Sequence, residues 1–109
     1  MPLDLPTPLP AYFAAKNNFD IGGTLATFAP DAIVDDEHEQ HVGREEIRAW
    51  MEAATRKYRD TAEPVTLESD GDTHRVDALV SGNFPGSPAT LHFRFRLQDA
   101  LIANLDIGA

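Results

Sequence analysis

Phe28-Ala29-Pro30-Asp31-Ala32-Ile33-Val34-Asp35-Asp36-Glu37, followed by Gly43-Arg44-Glu45-Glu46-Ile47-Arg48-Ala49-Trp50, is the stretch whose reading decides the fold. It reads as a short helix closing on Pro30, a brief strand over residues 32–37, and a glycine-started amphipathic helix. The strand's period of two puts Val34 and Asp36 on one face and Ile33 and Asp35 on the other. From Gly43, apolar residues recur at Ile47, Trp50, Met51, Ala54 and Tyr58, one stripe of a 3.6-residue helix. Arg56, Lys57 and Arg59 near its end suit the negative pole of the helix dipole.

Upstream, Thr7 followed by Pro8 predicts an N-cap with proline at the first helical position, and a helix running to Asn18 that buries Leu9, Tyr12 and Phe13. Asp20 caps a second, short helix carrying Ile21, Leu25 and Phe28. Residues 1–7, rich in proline, read as an extended arm, and 8–109 as one domain. Downstream the pattern is all strand. Val65, Leu67 and Ser69 alternate after Pro64, which confines that strand to an edge or an unpaired start. Asp70-Gly71-Asp72 turns the chain into a strand with Val76, Ala78 and Val80 on one face. Leu91, Phe93, Phe95 and Leu97 alternate strictly with His92, Arg94, Arg96 and Gln98, and a turn at 98–100 returns the chain through Leu101, Ala103, Leu105 and Ile107. Helices first and antiparallel strands afterwards predict an α+β domain with helices on one side of a sheet.

The chain has 109 residues and no cysteine, so no disulfide framework or thiol nucleophile exists. The start lacks a basic region and a continuous apolar run, which argues against an export signal or membrane span and for a cytoplasmic protein. Eighteen acidic residues against nine basic ones give a formal charge of -9, which repels phosphate backbones and anionic lipid. Nucleic acid and membrane surfaces are therefore not expected partners. Arg44, Arg48, Arg56, Lys57 and Arg59 are interleaved with Glu45, Glu46 and Glu52, as on a solvated helix face with Glu52 and Arg56 paired. No nucleophile elbow, phosphate-binding glycine loop or dinucleotide fingerprint is present, so no cofactor is expected.

The order of these elements from Pro8 to Ile107 resembles the SnoaL-like and ketosteroid isomerase-like branch of the nuclear transport factor 2 (NTF2-like) superfamily. The resemblance implies a cone in which a strongly bent, mostly antiparallel sheet and three helices from the N-terminal half enclose an apolar pocket. The isomerases carry their catalytic base in the pattern Phe-Ala-x-Asp-Ala-x-Val-x-Asp, and Phe28, Ala29, Asp31, Ala32, Val34 and Asp36 fit it position by position. The resemblance thus implies Asp36 as a general base whose pKa rises as water is withdrawn. The alternative is a carboxylate at a strand end among Asp35, Glu37 and Glu39. Tyr12-Phe13-Ala14-Ala15-Lys16-Asn17 is similar to the isomerases' first helix, whose tyrosine donates a hydrogen bond to the oxyanion, a role implied here for Tyr12. Its alternative is an amphipathic core residue.

The chain departs from the isomerases on a late strand, where their second donor is a protonated aspartic acid and Leu91 stands here. The loss of one donor costs about 3 kcal/mol of enolate stabilisation, which argues against steroid isomerisation but not against proton transfer on another substrate. His38 shares a face with Asp36 if the strand continues, and would then be a second acid/base, as histidines are in the similar scytalone dehydratases. The run 35–41 gathers two histidines and four carboxylates, but its histidines are three apart rather than four and lack a third ligand, so an acidic pocket rim is expected rather than a metal site.

The expected ligand is a small apolar or amphipathic organic molecule, bound by Phe13, Val34, Trp50, Met51, Tyr58, Phe84, Leu91, Phe93 and Phe95. The reaction implied is cofactor-free isomerisation, cyclisation or dehydration. The rival expectation is a non-catalytic ligand-binding or dimerisation module, since fold does not fix function. Superfamily members are often homodimers. Here the outward His92, Arg94 and Arg96 could meet Asp77 and Asp106 of a second copy.

Overall fold

Strict alternation along the late strands and a 3.6-residue stripe in one long helix produce a sheet with one helical cover. The computed structural model describes residues 3–108. Its elements are α1 (Leu9–Asn17), α2 (Ile21–Leu25), β1 (Phe28–Asp36), β2 (Glu39–Val42), α3 (Gly43–Tyr58), β3 (Thr61–Asp70), β4 (Thr73–Ser81), β5 (Ala89–Gln98) and β6 (Leu101–Gly108). The six strands form one mixed, open sheet in the order β2-β1-β6-β5-β4-β3. Among the described residues the β1–β6 pairing is parallel and the other four are antiparallel. This is the expected α+β architecture of the NTF2-like fold.

The start of α1 differs from expectation. Pro8, not Thr7, occupies the N-cap position of α1 and no side chain caps that end, while Pro10 sits in the first turn where a missing N–H is harmless. Residues 1 and 2 of the expected arm lie outside the described residues; Leu5 from its described part packs on the core. Asp20 does cap α2, accepting from the Gly23 N–H at 2.9 Å. That helix stops at Leu25, however, and Phe28 and Pro30 belong to β1 rather than to the helix. The ladder explains the correction. Phe28 pairs with Ile102, the register then shifts before Ile33 pairs with Asn104, and Pro30 lies within that irregular segment, where no regular ladder bond is needed.

A second correction concerns residues 37–42. The strand does not continue past Asp36: Glu37 and His38 form a two-residue turn with φ of 52° and 64°, and the chain returns as β2, pairing Asp36 with Glu39 and Val34 with His41. Paired left-handed residues match the twist of a tight hairpin. The usual Asn-Gly signal is absent, so the sequence reads as a loop.

Pro64 lies on the edge strand β3, at a register shift before Thr66. Between Arg96 and Leu97 the β5–β6 ladder also shifts, so Ile102 becomes fully buried beside Leu105, while Leu101 is only partly buried. The core centres on Tyr12, whose ring meets Phe13, Phe28 and Phe95 edge-on at 5.0, 5.9 and 5.3 Å between centroids. On the opposite face of the sheet, Asp77 is held within the chain by His92 Nδ1 at 2.6 Å and Arg75 Nε at 3.1 Å. Arg94 faces Asp106 in register, and Arg96 donates to Asn104 Oδ1 at 2.9 Å. Asp77, His92 and Arg96, expected in a contact between subunits, thus have partners within one chain. Glu52 and Arg56 form no ion pair among the described residues. No described helix is long and apolar enough to cross a membrane.

Candidate active site

Three elements bring side chains to one hollow. The β1 alternation turns Asp36 to the side of buried Val34; the α3 stripe lowers Trp50, Met51 and Tyr58 over it; and α1 supplies Tyr12 from the opposite wall. The cavity is about 360 Å³, within the range of small-molecule sites, and its lining is mostly apolar. Leu91 and Phe93 of β5, Val80 of β4 and Ile107 of β6 form its floor.

Asp36 is half-buried in this wall. Trp50 Nε1 donates to its Oδ2 at 3.0 Å. Burial raises its pKa above the ordinary carboxylate value, the Trp50 hydrogen bond pulls it back, Glu37 pushes it up, His41 lowers it and Asp60 raises it again. The net direction is upward. Behind this pair, the His41 ring stacks on the Trp50 indole at 5.8 Å, and His41 Nε2 is buried without a partner. Tyr12 is 1% exposed. Burial first, then the Asp60 and Asp36 charges, push its phenol far above the ordinary tyrosine value, so it stays protonated and able to donate.

Lys16, one turn after Tyr12 on α1, also lines the cavity and binds Asp60 Oδ2 at 2.9 Å. Asp60 follows Arg59, the left-handed C-cap of α3. Its position is fixed by a close backbone approach: a Cβ on Gly82 would lie 2.7 Å from Tyr58 O and 2.9 Å from Asp60 Cα, and the next amide, Asn83 N, donates to Tyr58 O at 2.7 Å. At the rim, the Tyr58 hydroxyl donates to Glu37 Oε1 at 2.8 Å and its ring meets Phe84 edge-on at 6.2 Å.

Of the residues expected at the site, Asp36, Tyr12, Trp50, Met51, Tyr58, Phe84, Leu91 and Phe93 line the cavity together. Phe13, Val34 and Phe95 do not; they are packed solidly in the core beneath it. His38 is exposed in the hairpin turn; it does not line the main cavity but borders a second hollow, with Glu39 and Gln40, that shares Asp36, Glu37, Leu91 and Ile107 with it. The continuing strand that would have aimed it beside Asp36 is absent. Lys16 and Asp60 were not expected. For Lys16 the signal was available, because it follows Tyr12 by four residues on one helix face; for Asp60 there was none, since its placement depends on the Gly82 contact. Among the described residues no group of three or more His, Asp or Glu side chains is arranged to hold a metal ion.

The profile of the SnoaL-like domain matches residues 9–105. Among solved structures, a polyketide cyclase-like protein from Sinorhizobium meliloti is 44% identical, with 95% of each chain covered and a TM-score of 0.92. A ketosteroid isomerase-like protein from Catenulispora acidiphila, solved with trimethylamine, is 20% identical over 94% of this chain and 86% of its own, with a TM-score of 0.82. An epoxide hydrolase/cyclase-like enzyme of pyran ring formation in the polyether salinomycin is 19% identical over 92% of this chain and 85% of its own, with a TM-score of 0.80. No match was found among curated proteins.

Proposed function

The chain belongs to the SnoaL-like domain family, and from that premise we propose that it catalyses cofactor-free proton transfer on a small, largely apolar carbonyl compound. Asp36 is the base. The observation that carries this reading is a carboxylate held in the wall of an apolar cavity, with one oxygen engaged by Trp50 Nε1 and its basicity raised by burial. Asp36 Oδ1 takes a proton from the carbon beside the carbonyl, and the electron pair moves onto the carbonyl oxygen as an enolate. The Tyr12 phenol, kept protonated by its surroundings, donates to that oxygen. Return of the proton to a different carbon completes an isomerisation; attack of the enolate carbon on a second carbonyl of the same molecule forms the ring bond, and the alkoxide so produced takes a proton as Asp36 is returned to its charged form, completing a cyclisation. The polyketide cyclase-like relative at 44% identity favours the cyclisation. Trp50, Leu91 and Phe93 exclude water from the reacting carbon.

The test uses α-deuterated cyclohexanone as a general probe. The protein is expected to accelerate loss of the label, followed by NMR, and Asp36→Asn to lose about 10²–10⁴-fold of that acceleration while melting at no lower a temperature. Equal acceleration by the variant would remove Asp36 from the chemistry. A second reading, ligand binding without turnover, is favoured by one observation: Leu91, which cannot donate a hydrogen bond, lines the cavity where the isomerases place a protonated acid. Binding of the ketone with no label loss in the unaltered protein would establish that reading instead.

A further inference from the structure

The geometry points to the Lys16 ammonium as the second oxyanion donor of this cavity, acting beside the Tyr12 hydroxyl on the enolate of a carbonyl substrate. The inference rests on the proton-transfer reading above. Tyr12 and Lys16 are four residues apart on α1, so their side chains leave the helix on one face, and both line the cavity. Among the described residues Lys16 is the one basic side chain on a wall that also carries Asp36, Glu37 and Asp60. An ammonium has three N–H donors. Asp60 Oδ2 takes one at 2.9 Å, and no other hydrogen bond of the Lys16 side chain is present among the described residues, so two donors remain on a side chain that lines the cavity.

The Asp60 contact fixes the ammonium without using it up. A lysine free to swing would lose rotamer entropy on meeting each ligand; one already tethered has lost it on folding. Asp60 itself is positioned by the close approach of the Gly82 backbone. The arrangement also sets substrate orientation. The carbonyl oxygen lies toward α1, between Tyr12 and Lys16, the acidic C–H lies toward Asp36 on β1, and the apolar body rests on Trp50, Leu91 and Phe93. A charge-assisted donor from α1 thus takes the role that Leu91 on β5 cannot fill.

The experiment measures binding of 4-nitrophenolate, a stable enolate mimic, by the absorbance of the bound anion. It is done in an Asp36→Asn background, which presents a neutral side chain where a protonated base would stand, so the result does not depend on Asp36 as a base. Lys16→Met is expected to weaken binding about 10- to 100-fold, the worth of one hydrogen bond from a charged donor. Asp60→Asn, which removes a competing acceptor and a negative charge but leaves the ammonium, is expected to strengthen it. Both changes break the same ion pair, so a merely structural pair would weaken binding in both, and that result overturns the proposal. The double variant Lys16→Met/Asp60→Asn leaves no unpaired charge behind and is expected to bind about 10- to 100-fold more weakly than Asp60→Asn alone, the loss of the same donor measured without the Asp60 charge. Binding within twofold of the background in Lys16→Met, or no binding of the anion in the background itself, also overturns it.

Discussion

Asp36 and Asp77 stand on opposite faces of one sheet, and their surroundings drive the same carboxyl group in opposite directions. On the helical side Asp36 meets an apolar cavity and a single indole donor, and burial lifts its pKa. On the other side Asp77 meets His92 and Arg75, whose hydrogen bonds hold its pKa down to about 2. The difference teaches that this fold keeps its cost and its stabilisation on separate faces. A carboxylate that costs folding free energy when charged is useful only as a base; one that is fully partnered is useful only as structure.

The comparison breaks first on activity. Asp77→Asn is expected to leave the acceleration of ketone label loss within twofold, against the loss of several orders of magnitude from Asp36→Asn. A comparable loss from both would show that the outer face is coupled to the chemistry. Stability should divide the faces in the reverse sense. Phe95 and Arg94 are adjacent on β5, one sealed in the core and the other exposed. Urea denaturation is expected to show about 3–5 kcal/mol lost in Phe95→Ala and no more than about 0.5 kcal/mol in Arg94→Ala.

Smaller effects sharpen the same contrast. Trp50→Phe removes the donor that restrains Asp36, and a hydrogen bond worth about 1 kcal/mol should raise the pH midpoint of the label-loss reaction by somewhat under one pH unit. A lower midpoint would mean that the indole does not stabilise the charged form. The stability curve in acid carries the last signature. Asp36, with its folded pKa above the unfolded value near 4, makes the folded state bind a proton more readily, so its contribution improves as pH falls through the folded value. Asp77, with its folded pKa at about 2, contributes fully above about 4 and loses that contribution as pH falls through about 2. Between about 4 and 2 Asp77→Asn should therefore show a flatter fall in stability than the unaltered protein, measured by urea denaturation at each pH.

Much of this was legible in the chain because alternation reports the side of a sheet directly. Phe93, Phe95, Val76, Ala78, Val80 and Asp36 all face as the period of two requires. Alternation does not report depth along the strand. Phe93 meets the cavity while Phe95, two residues on, is packed against Tyr12 at 5.3 Å, and Val34 lies in the core two residues before Asp36 for the same reason; Phe13, next to Tyr12 on α1, packs edge-on to Phe93 and Phe95. The hairpin at Glu37-His38 and the strand through Pro30 escaped because neither carries its usual marker: the turn lacks glycine and asparagine, and the proline sits in an irregular stretch of ladder. Asp60 escaped because a contact between Gly82 and the end of α3, more than twenty residues apart in sequence, sets its place.

The account depends on Asp36 being a stronger base than an ordinary aspartate. Carbon-detected NMR titration of its side-chain carboxyl measures this directly. A midpoint clearly above the ordinary value near 4 is the expected result; a midpoint at or below that value would contradict the assignment of Asp36 as the base.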